Sequence, residues 1–292
     1  MFFIRLLSRL PFPVLYLISD FLFLIAYYMV RYRRNTVRKN LKNSFPGKSP
    51  AERKKVEIGF YRNLCDYGVE MLKLLTISKE ELSVRMRFEQ PEVLQNFADQ
   101  KQSIIFMASH QFNWEWSLVS ASIVFPFDID FVYQPIKNKF FERFSLLCRT
   151  RFGAYPIQRD EVARAFVKRK DILRGVATVA DQYPGYKKDK KFAITFLNQQ
   201  TVFFLGTNSM ILMSQFPAVF YSLRKVKRGY YVGTPHIVGT PPYEKDSTVV
   251  LENYIREVEK LILEDPAGWL WSHNRWKKRH LKDFEKVKAQ QH

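Results

Sequence analysis

Residues Ile104–Ala108, IIFMA, are apolar at every position, a run that fits a central strand covered on both faces and so calls for helices above and below it. Trp114, Leu118 and Ala121 then recur at helical spacing, which puts His110 in the strand-to-helix turn and Glu115 in the first turn or so of the helix. A carboxylate there is favoured by the exposed backbone N–H groups and by the helix dipole. A turn histidine and a glutamate on the adjoining helix can come within hydrogen-bond reach, so that the carboxylate fixes the imidazole tautomer and stabilises its protonated form. That is the general-base half of a triad, with no serine or cysteine nucleophile nearby. The same spacing also arises by chance in chains without such a site.

From Phe88 onward, apolar runs alternate with helical patterns. Strands are expected at Ile104–Ala108, Ile129–Tyr133, Ala154–Ile157, Val176–Ala180 and Pro217–Leu223, and helices near 113–123, 138–151, 160–174, 205–215 and 247–264. The alternation implies an α/β fold, a sheet flanked on both faces by helices. Ligands of such sheets gather outside the carboxyl ends of the strands, where His110 follows the first of these runs and Asp181 the fourth. Pro50–Ile77 reads as a scaffold helix, with Phe60, Leu64, Tyr67, Met71 and Leu74 on one stripe.

The N-terminus carries a second constraint. Residues 14–30 hold one charge, Asp20, in 17 positions, close to the ~20 needed to span a bilayer. No small-residue cleavage site follows, which argues against a signal peptide. Asp20 is costly at mid-bilayer, so an interfacial helix competes with a spanning one. Six Lys/Arg between Arg31 and Lys42, against Arg5 and Arg9 before the segment, place the rest of the chain on the cytoplasmic side. The expected organisation is a membrane anchor over 1–31 and one domain over 32–292.

With 47 basic against 28 acidic residues in 292, the net charge of +19 calls for an anionic partner: nucleic acid, a phospholipid surface, a phosphorylated substrate or an acidic protein. Basic clusters lie at Lys187–Lys191, Arg224–Arg228 and Arg275–Arg279, each of which could also be a solvated face. Cys65 and Cys148 have no metal-like spacing and suit a reducing compartment. Arg149 and Arg151 fall at the end of a helix, where they could stabilise its C-terminus or form a paired guanidinium site for phosphate or an oxyanion. Asp181 could equally be a turn cap.

Several blocks together are more specific: RRNTVRKNLKNSFPGKS at 33–49, His110 and Glu115 as H-x-x-x-x-E, YQPIKNK at 133–139, RTRFG at 149–153, Asp181–Gln182, and DPAGWLWSHNRWKKR at 265–279. In these the chain resembles the late acyltransferases of lipid A biosynthesis, the lauroyl/myristoyl transferase family of Gram-negative bacteria, over about its whole length. It departs from the family pattern at Gln134, at Leu197–Asn198 and at Asn274, which bears on the acceptor rather than on acyl transfer. The resemblance implies a glycerol-phosphate-acyltransferase-like fold with a mixed or mostly parallel sheet. It also implies an enzyme of the bacterial inner membrane with its catalytic domain cytoplasmic, an acyl carrier protein as donor and a lipid A precursor as acceptor.

Acyl transfer from a thioester to a hydroxyl needs a base, a charge partner for it and oxyanion donors, but no covalent intermediate, and no G-x-S-x-G elbow occurs in the chain. No metal or organic cofactor is needed. In that scheme His110 is the base, Glu115 orients it, Arg149 and Arg151 bind acceptor phosphate or assist the oxyanion, and Asp181 supports the site or the acceptor. Another phospholipid or aminolipid acceptor would use the same residues. A membrane-anchored basic binding protein for nucleic acid would need an open basic–aromatic surface, whereas the aromatic residues here read as core.

Overall fold

The computed structural model describes residues 2–183 and 189–291. Its strands are β1 (Met86–Phe88), β2 (Ile104–Ala108), β3 (Asp128–Tyr133), β4 (Tyr155–Gln158), β5 (Arg174–Val179), β6 (Lys191–Phe196), β7 (Gln199–Phe204), β8 (Ala218–Lys227) and β9 (Tyr230–Gly239). Seven form one sheet in the order β1-β9-β8-β2-β5-β3-β4, and β6 and β7 form a separate hairpin. Strands β8, β2, β5, β3 and β4 run parallel, while β9 is antiparallel to β8 and carries β1 beside it. The expected mixed, mostly parallel sheet is therefore present.

Strand β2 shows why its sequence has no polar position. Ile105 and Met107 pack with Val250, Tyr254 and Val258 of the helix Val249–Glu264, whereas Ile104 and Phe106 pack with Ala121 of the helix Trp114–Val124. Successive side chains leave opposite faces of a strand, and both faces here are covered.

The helix Pro50–Lys73 starts on a capping box in which Ser49 and Glu52 exchange hydrogen bonds, with Pro50 at the first helical position. The N-terminal apolar segment lies against it, as the helix Phe12–Leu24 running into a π-helical turn at Ile25–Met29. Phe12, Leu15, Ser19, Phe23 and Tyr27 form a buried stripe, while Leu17, Phe21 and Leu24 are 69%, 62% and 52% exposed. Polar contacts join the segment to the body. Ser19 donates to Asp66 (2.7 Å), Tyr16 donates to Glu70 (2.9 Å), and Arg228 binds both Asp20 (2.7 Å) and Asp66 (2.6 Å). This ion pair accounts for a charge in an otherwise apolar run.

Several members of the three basic clusters are engaged within the fold. Lys225 and Arg228 hold Asp66, and Arg224 lies 3.5 Å from Glu89. Lys191 lies 3.7 Å from Asp283, and Lys187 and Lys188 fall outside the described residues. Arg275 is fully buried over the Phe203 ring and donates to the Val202 carbonyl, while the side chains of Lys278 and Arg279 are outside the described ones. The matched block at 33–49 meets the C-terminal one directly. Asn40 donates to the carbonyls of Trp271 and His273, and Arg33 to that of Ser272.

Candidate functional site

Strands β2 and β5 pair in parallel from Ile104 opposite Gly175 to Ala108 opposite Val179. Two residues further on, the same register sets His110 opposite Asp181. The structure closes that pair with two hydrogen bonds: the His110 backbone N–H donates to Asp181 Oδ2 (2.9 Å), and His110 Nδ1 lies 2.5 Å from Asp181 Oδ1. Tyr254 occupies the space where the strands part, its hydroxyl donating to the Ala108 carbonyl and accepting the Ala180 N–H.

Asp181 is fully buried. Burial raises its carboxyl, but His110 and the indole N–H of Trp269, 2.7 Å from Oδ2, more than offset this and hold it below the ordinary carboxylate range. An ionised Asp181 accepts a proton-bearing Nδ1, which leaves the lone pair of a neutral imidazole on Nε2.

The hydrogen bond expected between Glu115 and His110 is not formed. Asn113 caps the helix Trp114–Val124 by accepting the Trp116 N–H, and Glu115 in its first turn faces Arg149 instead. Arg149 Nε and Nη2 bind the two Glu115 oxygens at 2.7 and 2.5 Å, and the Trp114 indole donates to Oε1 (3.1 Å). With both oxygens taken, the imidazole is held from the neighbouring strand end. Burial raises the Glu115 carboxyl, and Arg149, helped by His110, lowers it further than burial raises it. The Arg149 guanidinium, which burial opposes, is raised by Glu115 and stays charged.

Arg151 does not join Arg149. Residues two apart at a helix end do not share a face, and Arg151 donates to the Leu74 carbonyl (2.7 Å) over the Phe152 ring. The expected paired guanidinium site is thus a single arginine held by a carboxylate.

Trp269 was not legible as a site residue, and its block explains itself only in three dimensions. Leu270 N–H donates to the His110 carbonyl and Phe112 N–H to the Gly268 carbonyl, so this segment lies alongside the turn that carries His110. A Cβ on Gly268 would stand 2.5–2.8 Å from Phe112 ring carbons, which is why a glycine precedes Trp269. Nearby His273 is pulled down to about 3 by burial and by Arg275, and so is neutral.

A cavity of about 580 Å³ opens at these residues, a size typical of small-ligand pockets, about 300–1,000 Å³. His110, Glu115, Arg149 and Gln182 line it together with Phe106, Leu118, Phe131, Val162 and Met210. Such an arrangement can take a proton at His110 Nε2, offer Arg149 to developing negative charge, and receive an apolar chain. Among the described residues, no group of three His, Cys, Asp or Glu side chains is placed to hold a metal ion.

Comparison with known proteins bears on what this crevice serves. Over 276 residues the chain is 25% identical to a lipid A biosynthesis palmitoleoyltransferase of Escherichia coli (strain K12) and to a lipid A biosynthesis acyltransferase of Shigella flexneri, covering 93% of this chain and 87% of each relative. The sequence profile described as bacterial lipid A biosynthesis acyltransferase matches residues 1–278, and with it the blocks that converge on His110 and Asp181. The chain belongs to the bacterial lipid A biosynthesis acyltransferase family.

Proposed function

We propose that the protein transfers a fatty acyl group from the thioester of an acyl carrier protein to a hydroxyl of a lipid A precursor at the cytoplasmic face of the bacterial inner membrane. The observation that carries this reading is the pair of buried Asp181 and partly exposed His110 on a largely apolar cavity that also holds the Arg149–Glu115 pair. His110 Nε2 takes the proton from the acceptor hydroxyl as its oxygen attacks the thioester carbonyl. Asp181 keeps Nδ1 protonated and stabilises the imidazolium. Arg149, its Nε and Nη2 committed to Glu115, presents its remaining N–H groups to the oxyanion. Collapse of the tetrahedral intermediate breaks the C–S bond, and the departing thiolate recovers the proton from Nε2. Glu115 fixes the guanidinium and adds a second negative charge near the imidazolium. The net charge of +19 suits an acidic donor protein and anionic acceptor headgroups.

The test uses purified protein, an acyl-loaded acyl carrier protein and a lipid A precursor, with products read by mass spectrometry. The expected result is precursor heavier by one acyl group. Transfer only from a non-protein thioester would overturn the donor assignment, and transfer only to another phospholipid or aminolipid the acceptor assignment.

The exposed face of the N-terminal helix supports a lipid-contacting role for that segment. Because its other face belongs to the core, removing residues 1–31 would strip away packing as well, and point changes are the cleaner probe. Leu17→Ser, Phe21→Ser and Leu24→Ser together should reduce partitioning onto anionic vesicles at least about tenfold, since one large apolar side chain contributes ~1.5–3 kcal/mol when buried. The melting temperature should change little. Unchanged vesicle binding would move the membrane contact to another surface.

A further inference from the structure

Glu70 is fully buried and takes no part in the chemistry described above. Its carboxylate is a junction. Oε2 accepts from Asn113 Nδ2 (2.7 Å) and from the Tyr231 hydroxyl of β9 (2.8 Å), and Oε1 accepts from the Tyr16 hydroxyl of the N-terminal helix (2.9 Å). Its backbone carbonyl accepts the indole N–H of Trp116 (3.0 Å).

Asn113 is the residue through which this junction reaches the site. Its side chain caps the helix that carries Glu115, and it ends the turn that begins at His110. That turn is strained: Phe112 has φ 47°, a left-handed conformation that a bulky residue keeps only when its surroundings over-determine it. On one side the constraint comes from the Gly268 carbonyl, which accepts the Phe112 N–H (2.8 Å). On the other it comes from the Asn113–Glu70 bond.

We propose that Glu70 is a positioning residue for the acyl-transfer site, holding the strained His110–Asn113 turn through Asn113 and, through Tyr16, making the geometry of that turn depend on the seating of the N-terminal helix. The exposed face of that helix is the one assigned to lipid above, so lipid contact and site geometry share one buried carboxylate. The inference rests on the proposed reaction only for its kinetic readout.

Glu70→Ala would leave the donors Asn113, Tyr231 and Tyr16 without this partner, the first two of them buried, and threatens the fold, so the link is tested at its two ends. Asn113→Ser keeps a helix cap but cannot reach Glu70, and Tyr16→Phe removes one hydroxyl. Each should lower kcat about tenfold with KM for the acyl donor little changed, because small misplacement of reacting groups is costly in rate. The double variant should be no slower than Asn113→Ser alone, since both changes cut the same connection. The ¹⁵N shifts of the His110 ring should move in both single variants. Multiplicative losses in the double variant would overturn the proposal, as would single variants that lose only thermal stability with kcat and the His110 shifts unchanged. If the wild type shows no acyl transfer, the reaction assignment fails, while the ring shifts still decide whether Glu70 links the two segments.

Discussion

Asp181→Asn is expected to lower acyl transfer by about 10²–10⁴-fold, as much as His110→Ala, and to leave the fold intact. The size of the effect follows from which oxygen holds which donor. Oδ2 accepts two N–H groups, those of the His110 backbone and the Trp269 indole, whereas among the described residues Oδ1 is hydrogen-bonded to His110 Nδ1 alone. An asparagine at this position keeps its single oxygen toward the two donors, and its amide N–H₂ then points at Nδ1. Nδ1 must become the acceptor, the ring proton moves to Nε2, and the base has no lone pair to offer the hydroxyl. The isosteric change therefore removes the base without removing the histidine. Steady-state turnover together with circular dichroism and thermal melting checks this. Turnover of Asp181→Asn within a few-fold of wild type would sink the assignment of His110 as base.

How far the sequence exposes this arrangement depends on whether the deciding contacts are local. The uninterrupted apolar run Ile104–Ala108 identifies β2 to the residue, because burial on both faces leaves no freedom at any position. The partner of His110 is another matter. Glu115 is close in sequence and on the adjoining helix, but the ring is taken by Asp181, 71 residues on, because parallel strands bring their carboxyl ends together. The two strand ends could be seen to face one crevice, but the pairing of four charged groups within it could not. The partners of the basic clusters are hidden for the same reason: Arg228 finds its acids 162 and 208 residues away.

Strand β9 escaped notice because Gly233 and Pro235 interrupt it. The fold tolerates the proline since β1 pairs only with Tyr231–Gly233, so beyond Gly233 that side of β9 is an edge where a missing N–H costs nothing. The β6–β7 hairpin turns on Leu197 and Asn198, both with positive φ, in place of the glycine a two-residue turn ordinarily uses. Leu197 is 1% exposed and its N–H is held by Glu259 (2.5 Å), so tertiary contacts impose the conformation that local preference would not.

Arg149→Met should destabilise the protein by about 3–5 kcal/mol at neutral pH, because it leaves Glu115 as a buried charge with its bidentate partner gone. The pH dependence fixes the sign. In the wild type Arg149 holds the Glu115 carboxyl below its ordinary 4.5, so its contribution to stability is complete above that pH and is lost only as pH falls through the folded value. In the variant burial acts with much less opposition, and the folded carboxyl titrates above 4.5. Its penalty is then full at neutral pH and fades as pH falls toward 4.5, where the unfolded chain also binds the proton. Denaturant unfolding at a series of pH values should show the deficit shrinking on acidification, and a deficit independent of pH would mean that Glu115 is not the group left unpaired. Stability and catalysis separate in the double variant Arg149→Met, Glu115→Leu. Replacing a buried ion pair by apolar side chains is often neutral or stabilising, so the fold should recover. Acyl transfer should remain down by about 10²–10³-fold, the range for losing one preorganised oxyanion donor. Recovery of both stability and turnover would reduce the pair to a packing device and remove Arg149 from the reaction.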